Sequence, residues 1–142
     1  FELMSQINNT MISSQHSLNM SPLSLAAGIE TITELLKPDT YLILEDLAKH
    51  LENGFHWIKN EHNLSIEIKR FNSFFSISFP LQNSPWSKAS IYNFYLKMLS
   101  LGHYIPIPNS YPWYVSLSHT KKEIESTIDA ASEILGNKSA LT

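Results

Sequence analysis

A long amphipathic helix followed directly by a strand-turn-strand segment limits this 142-residue chain to folds that combine helices with a sheet. The helix begins at Asp39 or Thr40 and has a stripe of apolar residues at helical spacing. The stripe consists of Leu44, Leu47, Leu51, Phe55 and Ile58. Ile66 to Lys69 then alternates with period two, Asn72-Ser73 is a turn signal, and Phe74 to Phe79 returns as a second strand. These two runs predict a β-hairpin.

A shorter helix precedes the long one, and both have recognisable ends. At Ser21-Pro22 the serine hydroxyl can accept a bond from an unpaired backbone N–H, and proline loses nothing at the first helical position. Pro38 ends this helix, because the residue before a proline is pushed out of the α region. Its apolar face carries Leu25, Ile29, Ile32 and Leu36. Asn63 is a plausible left-handed stop for the long helix.

Two more helices follow the hairpin. Ser84-Pro85 repeats the cap-plus-proline start, and Gly102 stops the helix that it predicts. Thr120 and Glu123 form a capping box, in which a hydroxyl and a carboxylate each satisfy a backbone donor. The last helix then runs to Gly136.

Two further strands are predicted between these helices, at Tyr104 to Ile107 and Trp113 to Ser118. The full order is helix, helix, strand, strand, helix, strand, strand, helix. It predicts an α+β fold: a two-layer sandwich in which a small, mainly antiparallel sheet of three to four strands carries helices on one face.

Composition and charge exclude several classes of function. The net charge is −3, and no run of Lys and Arg is longer than two residues, so we expect no nucleic-acid surface. The chain has no cysteine, hence no disulfide frame and no thiolate nucleophile. No apolar run reaches the roughly 20 residues of a membrane span, and no basic-then-apolar leader is present. We therefore expect a soluble cytoplasmic protein with no membrane contact.

The motifs that usually carry chemistry are missing. The six histidines include no His-x3-His pair and no His-Glu-x-x-His run, so we assign no metal site. No Gly-x-Ser-x-Gly elbow and no glycine-rich phosphate loop occurs. The carboxylates are scattered over solvated helix faces, which gives no support to a paired-acid mechanism. The residues alone therefore nominate no catalytic side chain.

One polar segment has two interpretations. The stretch before Pro22 is rich in serine and leads into a helix N-terminus, where hydroxyls and free N–H groups suit a phosphate. Simple helix capping explains the same residues, and without further context we favour it.

Four segments, in the same order, resemble the class III pyridoxal-phosphate-dependent aminotransferases, and most of all the glutamate-1-semialdehyde 2,1-aminomutase subfamily. The first is HSLNMSPLSLAAGIETITELLKP, similar to Gly-Thr-x-Ser-Gly-Asn-Pro-Leu-x-x-Ala-Ala-Gly before a long helix. IKRFNSFFSISF resembles the family's strand-turn-strand, and FYLKMLSLGHYIPIP its next helix and strand. YVSLSHTKKEIESTIDAA resembles the Ala-His-Thr segment before the last helix. The resemblance covers about the whole chain.

The resemblance implies the C-terminal portion of an enzyme with the aspartate-aminotransferase fold. Residues 1–21 would then come from the large domain and include the phosphate-facing loop, 22–37 would be a connecting helix, and 38–142 the C-terminal small domain. The expected partners are the large catalytic domain of the same protein, a second subunit in a homodimer, and an amino acid or amino-aldehyde substrate. A chain that begins with Phe1 fits a piece cut from a longer protein.

The resemblance also implies pyridoxal 5'-phosphate as the cofactor of the intact enzyme. The Schiff-base lysine, the stacking aromatic residue and the aspartate on the pyridine nitrogen all lie upstream in the family, so no catalytic residue is assigned and the isolated chain is expected to be inactive. The family's Gly-Thr pair, which binds the cofactor phosphate of the neighbouring subunit, corresponds here to His16-Ser17. Ser17 keeps the hydroxyl donor, and His16 adds a possible cationic one.

Several residues depart from the family pattern. Met20-Ser21 replaces Gly-Asn, Asn72-Ser73 replaces Gly-Gly, and Tyr111 replaces the glutamate of the subfamily's Phe-Glu-Ala-Gly loop. Because of the last change, three hypotheses stay equally open. They are an aminomutase, a transaminase with another carbonyl substrate, and an aminotransferase module of a larger protein. A stand-alone, non-catalytic α+β domain used for binding or assembly is the alternative from another class.

Overall fold

The computed structural model describes residues 21–82 and 85–137. These described residues form four helices and three strands: α1 (Pro22–Leu35), α2 (Thr40–Glu61), β1 (Glu67–Phe71), β2 (Phe74–Ser78), α3 (Lys88–Ser100), β3 (Trp113–Tyr114) and α4 (Lys121–Gly136). The chain divides into two compact units, Phe1–Thr40 and Tyr41–Thr142.

Helix α1 begins and ends where the sequence predicts. The Ser24 N–H donates to the Ser21 hydroxyl oxygen at 3.1 Å, and Pro22 occupies the first helical position. The helix closes at Leu36, two residues before Pro38. No residue of α1 is buried. Its conformation therefore depends on a local cap and on intrahelical hydrogen bonds.

Helix α2 supplies the centre of the core in the second unit. Leu47, Leu51, Phe55 and Ile58 are buried as predicted, whereas Leu44 is only half-buried. Asn63 has a φ of 47°, which confirms the predicted left-handed stop. The Leu64 N–H donates to the Lys59 carbonyl at 2.9 Å, and the Asn63 N–H donates to that of Asn60 at 3.3 Å. These are the two bonds of a Schellman motif.

The predicted hairpin is present, with β1 antiparallel to β2 and Phe71 opposite Phe74 across the Asn72-Ser73 turn. Strand β3 pairs with the other edge of β2 and gives the order β1-β2-β3. Phe75 and Trp113 lie on the buried face, where both rings contact Phe55 of α2 at centroid distances of 5.3 and 5.5 Å. The α+β class and the antiparallel sheet are confirmed, with three strands.

An ion-pair cluster fastens the hairpin to α2. Arg70 Nε donates to Glu52 at 2.8 Å, and Arg70 Nη1 donates to Glu45 at 2.8 Å and to the Asn72 carbonyl at 3.0 Å. Only 15 % of the Arg70 side chain is exposed, so water competes weakly for its donors. The charges hold the turn end of β1 against the helix.

The prediction of a strand over Tyr104 to Ile107 is wrong. Pro106 interrupts this run and lacks the N–H that a ladder needs. Asn109, with a φ of 67°, supplies the link to the sheet instead. Its Oδ1 accepts the Phe79 N–H at 2.6 Å, and its Nδ2 donates to the Phe79 carbonyl at 2.8 Å. A side chain thus replaces a strand pairing.

Strand β3 is shorter than the predicted Trp113 to Ser118. Its partner β2 begins at Phe74, and the last link is a bond from the Val115 N–H to the Ser73 carbonyl at 3.0 Å. Beyond that point a turn forms, in which the His119 N–H donates to the Ser116 carbonyl at 3.1 Å.

Helix α3 begins three residues after Pro85, and Ser84 lies outside the described residues. Ser87, not Ser84, is its cap. Ser90 N–H donates to Ser87 Oγ at 3.0 Å, and Ser87 N–H donates to Ser90 Oγ at 2.8 Å. This is a capping box in which serine takes the place of glutamate. Gly102, with a φ of 88°, ends the helix region as predicted.

Gly54 has a packing role that its sequence context did not reveal. A Cβ at this position would lie 2.6 Å from Cγ1 and 2.9 Å from Cγ2 of Ile128 in α4. Only glycine allows α2 and α4 to approach this closely, which offsets its low helix propensity.

Candidate functional site

The predicted phosphate-binding pair, His16 and Ser17, lies outside the described residues, so its role stays a prediction. The adjoining cap is described. Ser21 Oγ accepts from the Ser24 N–H and lies 2.6 Å from Ser24 Oγ, while Ser24 Oγ donates to the Ser21 carbonyl at 3.2 Å. The two serines thus satisfy groups of the first turn of α1, as the capping interpretation predicts.

A cleft of about 320 Å³ opens in the second unit, beside the first half of α4. It is lined by the loop that follows α3, by β3 and by α4. Its polar side chains are His103, His119, Glu123, Ser126 and Thr127. The sequence pattern did not bring these five side chains together, because the loop after α3 was predicted as a strand.

His119 is held by the turn that ends β3. Its Nδ1 lies 3.0 Å from the Ser116 backbone nitrogen and 3.0 Å from Ser116 Oγ. Because the backbone N–H can only donate, Nδ1 accepts, and in the neutral ring the proton sits on Nε2. This geometry gives His119 a structural role in the turn just before the capping box.

The capping box of α4 borders the same cleft. The Thr120 N–H donates to Glu123 Oε2 at 2.7 Å, and the Thr120 hydroxyl donates to it at 2.9 Å. These bonds from Thr120, the backbone one first, lower the pKa of Glu123, and the nearby His119 adds to the effect. Glu123 is therefore a carboxylate at neutral pH, and it makes the cleft unfavourable for an anion.

His103 is held in the cleft by α4. Thr127 Oγ1 donates to the Glu123 carbonyl at 2.9 Å and lies 3.1 Å from His103 Nδ1. With its proton committed to that carbonyl, the threonine oxygen accepts from Nδ1–H, which fixes the ring tautomer. His103 Nε2 then faces Ser126 Oγ at 3.5 Å. The imidazole ties the loop to α4.

Trp113 forms the floor of the cleft and is only 5 % exposed. Its ring packs at steep angles against Phe55 and Phe75, both at centroid distances of 5.5 Å. Within the part of the chain that the structure describes, its Nε1–H has no acceptor. Such a buried unpaired donor costs about 1–3 kcal/mol, which the packing of the ring must offset.

A second groove, of about 370 Å³, lies on the other side of the same loop. Three exposed tyrosines line it: Tyr104, Tyr111 and Tyr114. No charged residue contributes to its wall, which is completed by Tyr95, Ile105, Pro106, Ile107 and Pro112. Tyr111, one of the residues that depart from the family pattern, is 72 % exposed there.

Neither hollow fits pyridoxal phosphate as a complete site. A cofactor site of this kind needs a lysine amine for the covalent link and a carboxylate for the ring nitrogen. No lysine lines the cleft or the groove. Residues 21–82 and 85–137 also contain no group of three or more His, Asp or Glu side chains that could hold a metal ion. No helix among them is long and apolar enough to cross a membrane.

Comparison with known proteins shows which enzymes the chain is related to. No family model matches it. The glutamate-1-semialdehyde 2,1-aminomutase 1 of Listeria innocua is 32% identical over 121 residues, which cover 80% of this chain and 28% of the relative. A second one, from Bacillus cereus, is 33% identical over 129 residues, covering 86% of the chain and 30% of the relative. The chain belongs to the class III aminotransferase family. It spans less than a third of the length of these curated relatives.

Solved structures agree on the fold of this aminotransferase segment. A transaminase with bound pyridoxal phosphate matches 92% of the chain and 30% of its own length, with a TM-score of 0.74 at 22% identity. An omega-transaminase from Sphaerobacter thermophilus matches 82% of the chain and 28% of its own length, with a TM-score of 0.69 at 21% identity. The similarity confirms the predicted fold class, an α+β segment of the aminotransferase fold.

Proposed function

We propose that the intact protein is a cytoplasmic, homodimeric, pyridoxal-phosphate-dependent enzyme that transfers amino groups. In this proposal residues 1–21 belong to its large domain, 22–37 form the connecting helix, and 38–142 form the C-terminal small domain. The carrying observation is the relationship to glutamate-1-semialdehyde 2,1-aminomutases over four-fifths of the chain. The substrate is an amino acid or an amino-aldehyde.

The isolated chain supplies no transfer activity in this account. The clefts described above lack a lysine, and the lysines of the described helices are exposed or half-buried on solvated faces. Pyridoxal phosphate bound elsewhere in the intact protein would supply an electron sink, and from this chain only His16 and Ser17 are proposed to contact it.

The direct test incubates the 142-residue chain with pyridoxal phosphate, then with borohydride, and maps the labelled peptides by mass spectrometry. We expect scattered surface labelling and no amine turnover. A single lysine labelled stoichiometrically, together with turnover, contradicts the assignment of the catalytic lysine to another part of the protein.

Ser17 and His16 are proposed to contact the cofactor phosphate across the dimer interface. The proposal rests on their position in the family pattern and on the helix N-terminus that follows them. In the intact protein Ser17→Ala should weaken cofactor retention by at most about 1.5–3 kcal/mol, the value of a hydrogen bond to a charged group. If Ser17→Ala changes neither cofactor retention nor dimer formation, Ser17 has no role in binding the phosphate. Ser13→Ala is the matched control in the same serine-rich stretch.

Tyr111 favours a transaminase over an aminomutase within this proposal. A neutral phenol takes the place of a carboxylate in the family's loop, and it lies exposed on the tyrosine-lined groove. The intact protein should therefore transfer an amino group between an amine and a separate carbonyl compound. Tyr111→Glu tests the point. Isomerisation of glutamate 1-semialdehyde by the unaltered protein, at a rate that Tyr111→Glu does not increase, contradicts the choice.

A further inference from the structure

A further hollow of about 250 Å³ lies between α2 and α4, and we call it the α2–α4 groove. His50, Asn53 and Trp57 line it from α2, at spacings of three and four residues that place them on one helix face. Gly54 packs directly against Ile128, and these two residues complete this part of the lining. The groove is thus built on two closely packed helices, which hold its side chains in fixed positions.

The edge that α4 contributes to the groove is acidic. Glu125 and Asp129 line it, one helical turn apart, and both are exposed. Within the described ranges neither forms an ion pair with a lysine or an arginine. His50 Nε2 lies 3.5 Å from Glu125 Oε1, which is long for a hydrogen bond, and this buried nitrogen has no hydrogen-bond partner among the same residues. Both carboxylates are therefore available to a ligand.

Trp57 adds an aromatic surface to the same groove. It is 53 % exposed, whereas Trp86 and Trp113 are only 8 % and 5 % exposed and belong to the core. Its ring meets that of His62 edge to face, at a centroid distance of 6.5 Å. Tryptophan is enriched among the residues that dominate binding energies, and an indole face attracts a cation within about 6 Å of the ring centre. An exposed indole beside two carboxylates is suited to a positively charged ligand.

We propose that the α2–α4 groove binds an organic cation of side-chain size, an alkylammonium or a guanidinium group. Glu125 and Asp129 accept hydrogen bonds from its N–H groups, and Trp57 contacts it through the face of the indole. Both kinds of group carry several N–H donors, enough to reach the two carboxylates together. The groove has room for one such group on a short stem, since pockets for drug-sized ligands begin at about 300 Å³.

Other classes of ligand fit this lining less well. The two carboxylates repel an anion, and a neutral apolar molecule leaves them without a counter-charge. A metal ion is disfavoured as well, because residues 21–82 and 85–137 hold no group of three or more His, Asp or Glu side chains suited to one. The combination of acidic groups with an aromatic ring thus selects an organic cation.

The test is fluorine NMR of the intact protein labelled with fluorotryptophan, in which the Trp57 signal is assigned by its loss in Trp57→Phe. At constant ionic strength, n-butylammonium and methylguanidinium chloride should shift this signal saturably. The uncharged n-butanol, which has a similar shape, should not. Absence of a saturable shift with both cations overturns the proposal, as does an equal shift with n-butanol.

Three variants of α4 test which carboxylates take part. Glu125→Gln and Asp129→Asn should each raise the Kd for methylguanidinium several-fold, and both positions are exposed, so the fold should tolerate the changes. Glu133→Gln is the matched control, because it removes the same charge from the same helix but lines a different hollow. It should leave the Kd nearly unchanged. Equal weakening by all three variants would show a general charge effect and overturn the site.

The cation can come from a free amine or from a basic side chain of a protein segment, and a tetralysine peptide separates the two sources. A peptide that binds no more tightly than n-butylammonium, after correction for its number of ammonium groups, identifies a free amine as the ligand. Much tighter binding identifies a basic segment. Both results require the Trp57 signal to respond, so a peptide that binds without shifting this signal contradicts the assignment of the site.

Discussion

Helices α1 and α4 have similar starts but very different surroundings. The residue before each helix is Ser21 for α1 and Thr120 for α4. Its hydroxyl oxygen accepts a hydrogen bond from the backbone N–H three residues later. Helix α4 then buries six of its 16 residues, whereas α1 buries none of its 14. Local signals are thus sufficient to place a helix start, while burial depends on what the rest of the protein presents.

The largest difference should appear when one apolar side chain is removed from each unit. Phe55 is fully buried against Phe75 and Trp113, so Phe55→Ala should lower the free energy of unfolding by about 3–5 kcal/mol. Ile29 of α1 is 64 % exposed, and Ile29→Ala should change it by no more than about 0.5 kcal/mol. Urea titration of both variants measures the contrast. A similar loss from Ile29→Ala contradicts it.

Gly28 of α1 and Gly54 of α2 should respond with opposite signs to the same substitution. Gly28→Ala meets no atom within 4 Å and should stabilise α1 by about 1 kcal/mol, because alanine has the higher helix propensity. Gly54→Ala gains the same propensity but drives its Cβ into Ile128, and overpacking typically costs about 1–3 kcal/mol. Thermal unfolding of both variants gives the signs. Stabilisation by Gly54→Ala would contradict the prediction, because it would mean that α2 and α4 can move apart at little cost.

The ion-pair cluster of Arg70 in the second unit and the single Lys37–Glu34 pair in the first extend the comparison to smaller effects. Arg70→Gln breaks bonds to Glu45 and Glu52 at a site that is 15 % exposed, and should cost about 1–2 kcal/mol. Lys37→Gln breaks an exposed pair with Glu34 and should cost about 0–0.5 kcal/mol. Urea midpoints measured at low and high salt separate the two. A salt dependence that is equal for both variants contradicts the difference in burial.

The smallest effect should come from acid, through two carboxylates of the second unit. Hydrogen bonding to Arg70 lowers the pKa of Glu45, and the Thr120 cap lowers that of Glu123, both from an ordinary value of 4.5. Since the folded state binds the proton more weakly, their stabilisation is complete above pH 4.5 and is lost as pH falls through the lowered pKa values. Unfolding measured from pH 6 downwards should show this loss reduced in Glu123→Gln. If Glu123→Gln loses stability with acid just as the unaltered protein does, the predicted contribution of Glu123 is contradicted.

Much of the fold follows from local sequence chemistry. Asn63 and Gly102 end helices at positive φ, and Thr120 with Glu123 forms the capping box, all as predicted. These features depend on neighbours within a few residues. The hairpin is equally local, since Asn72 turns two alternating runs against each other.

The features that the sequence did not reveal depend on distant partners. Asn109 replaces a strand by bonding to Phe79, 30 residues away, and Ser87 caps α3 where Ser84-Pro85 was predicted to start it. The cleft is assembled by the bond between His103 and Thr127, which no spacing rule indicates. Of the predicted site, His16 and Ser17 stay a prediction based on the family pattern.

The central claim is that this chain is part of a pyridoxal-phosphate enzyme whose catalytic lysine lies elsewhere in the polypeptide. Borohydride reduction of the intact protein, followed by peptide mapping, tests it directly. We expect one pyridoxyl-modified lysine, in a peptide outside these 142 residues. A modified lysine within them, or an intact protein that retains no cofactor at all, would contradict it.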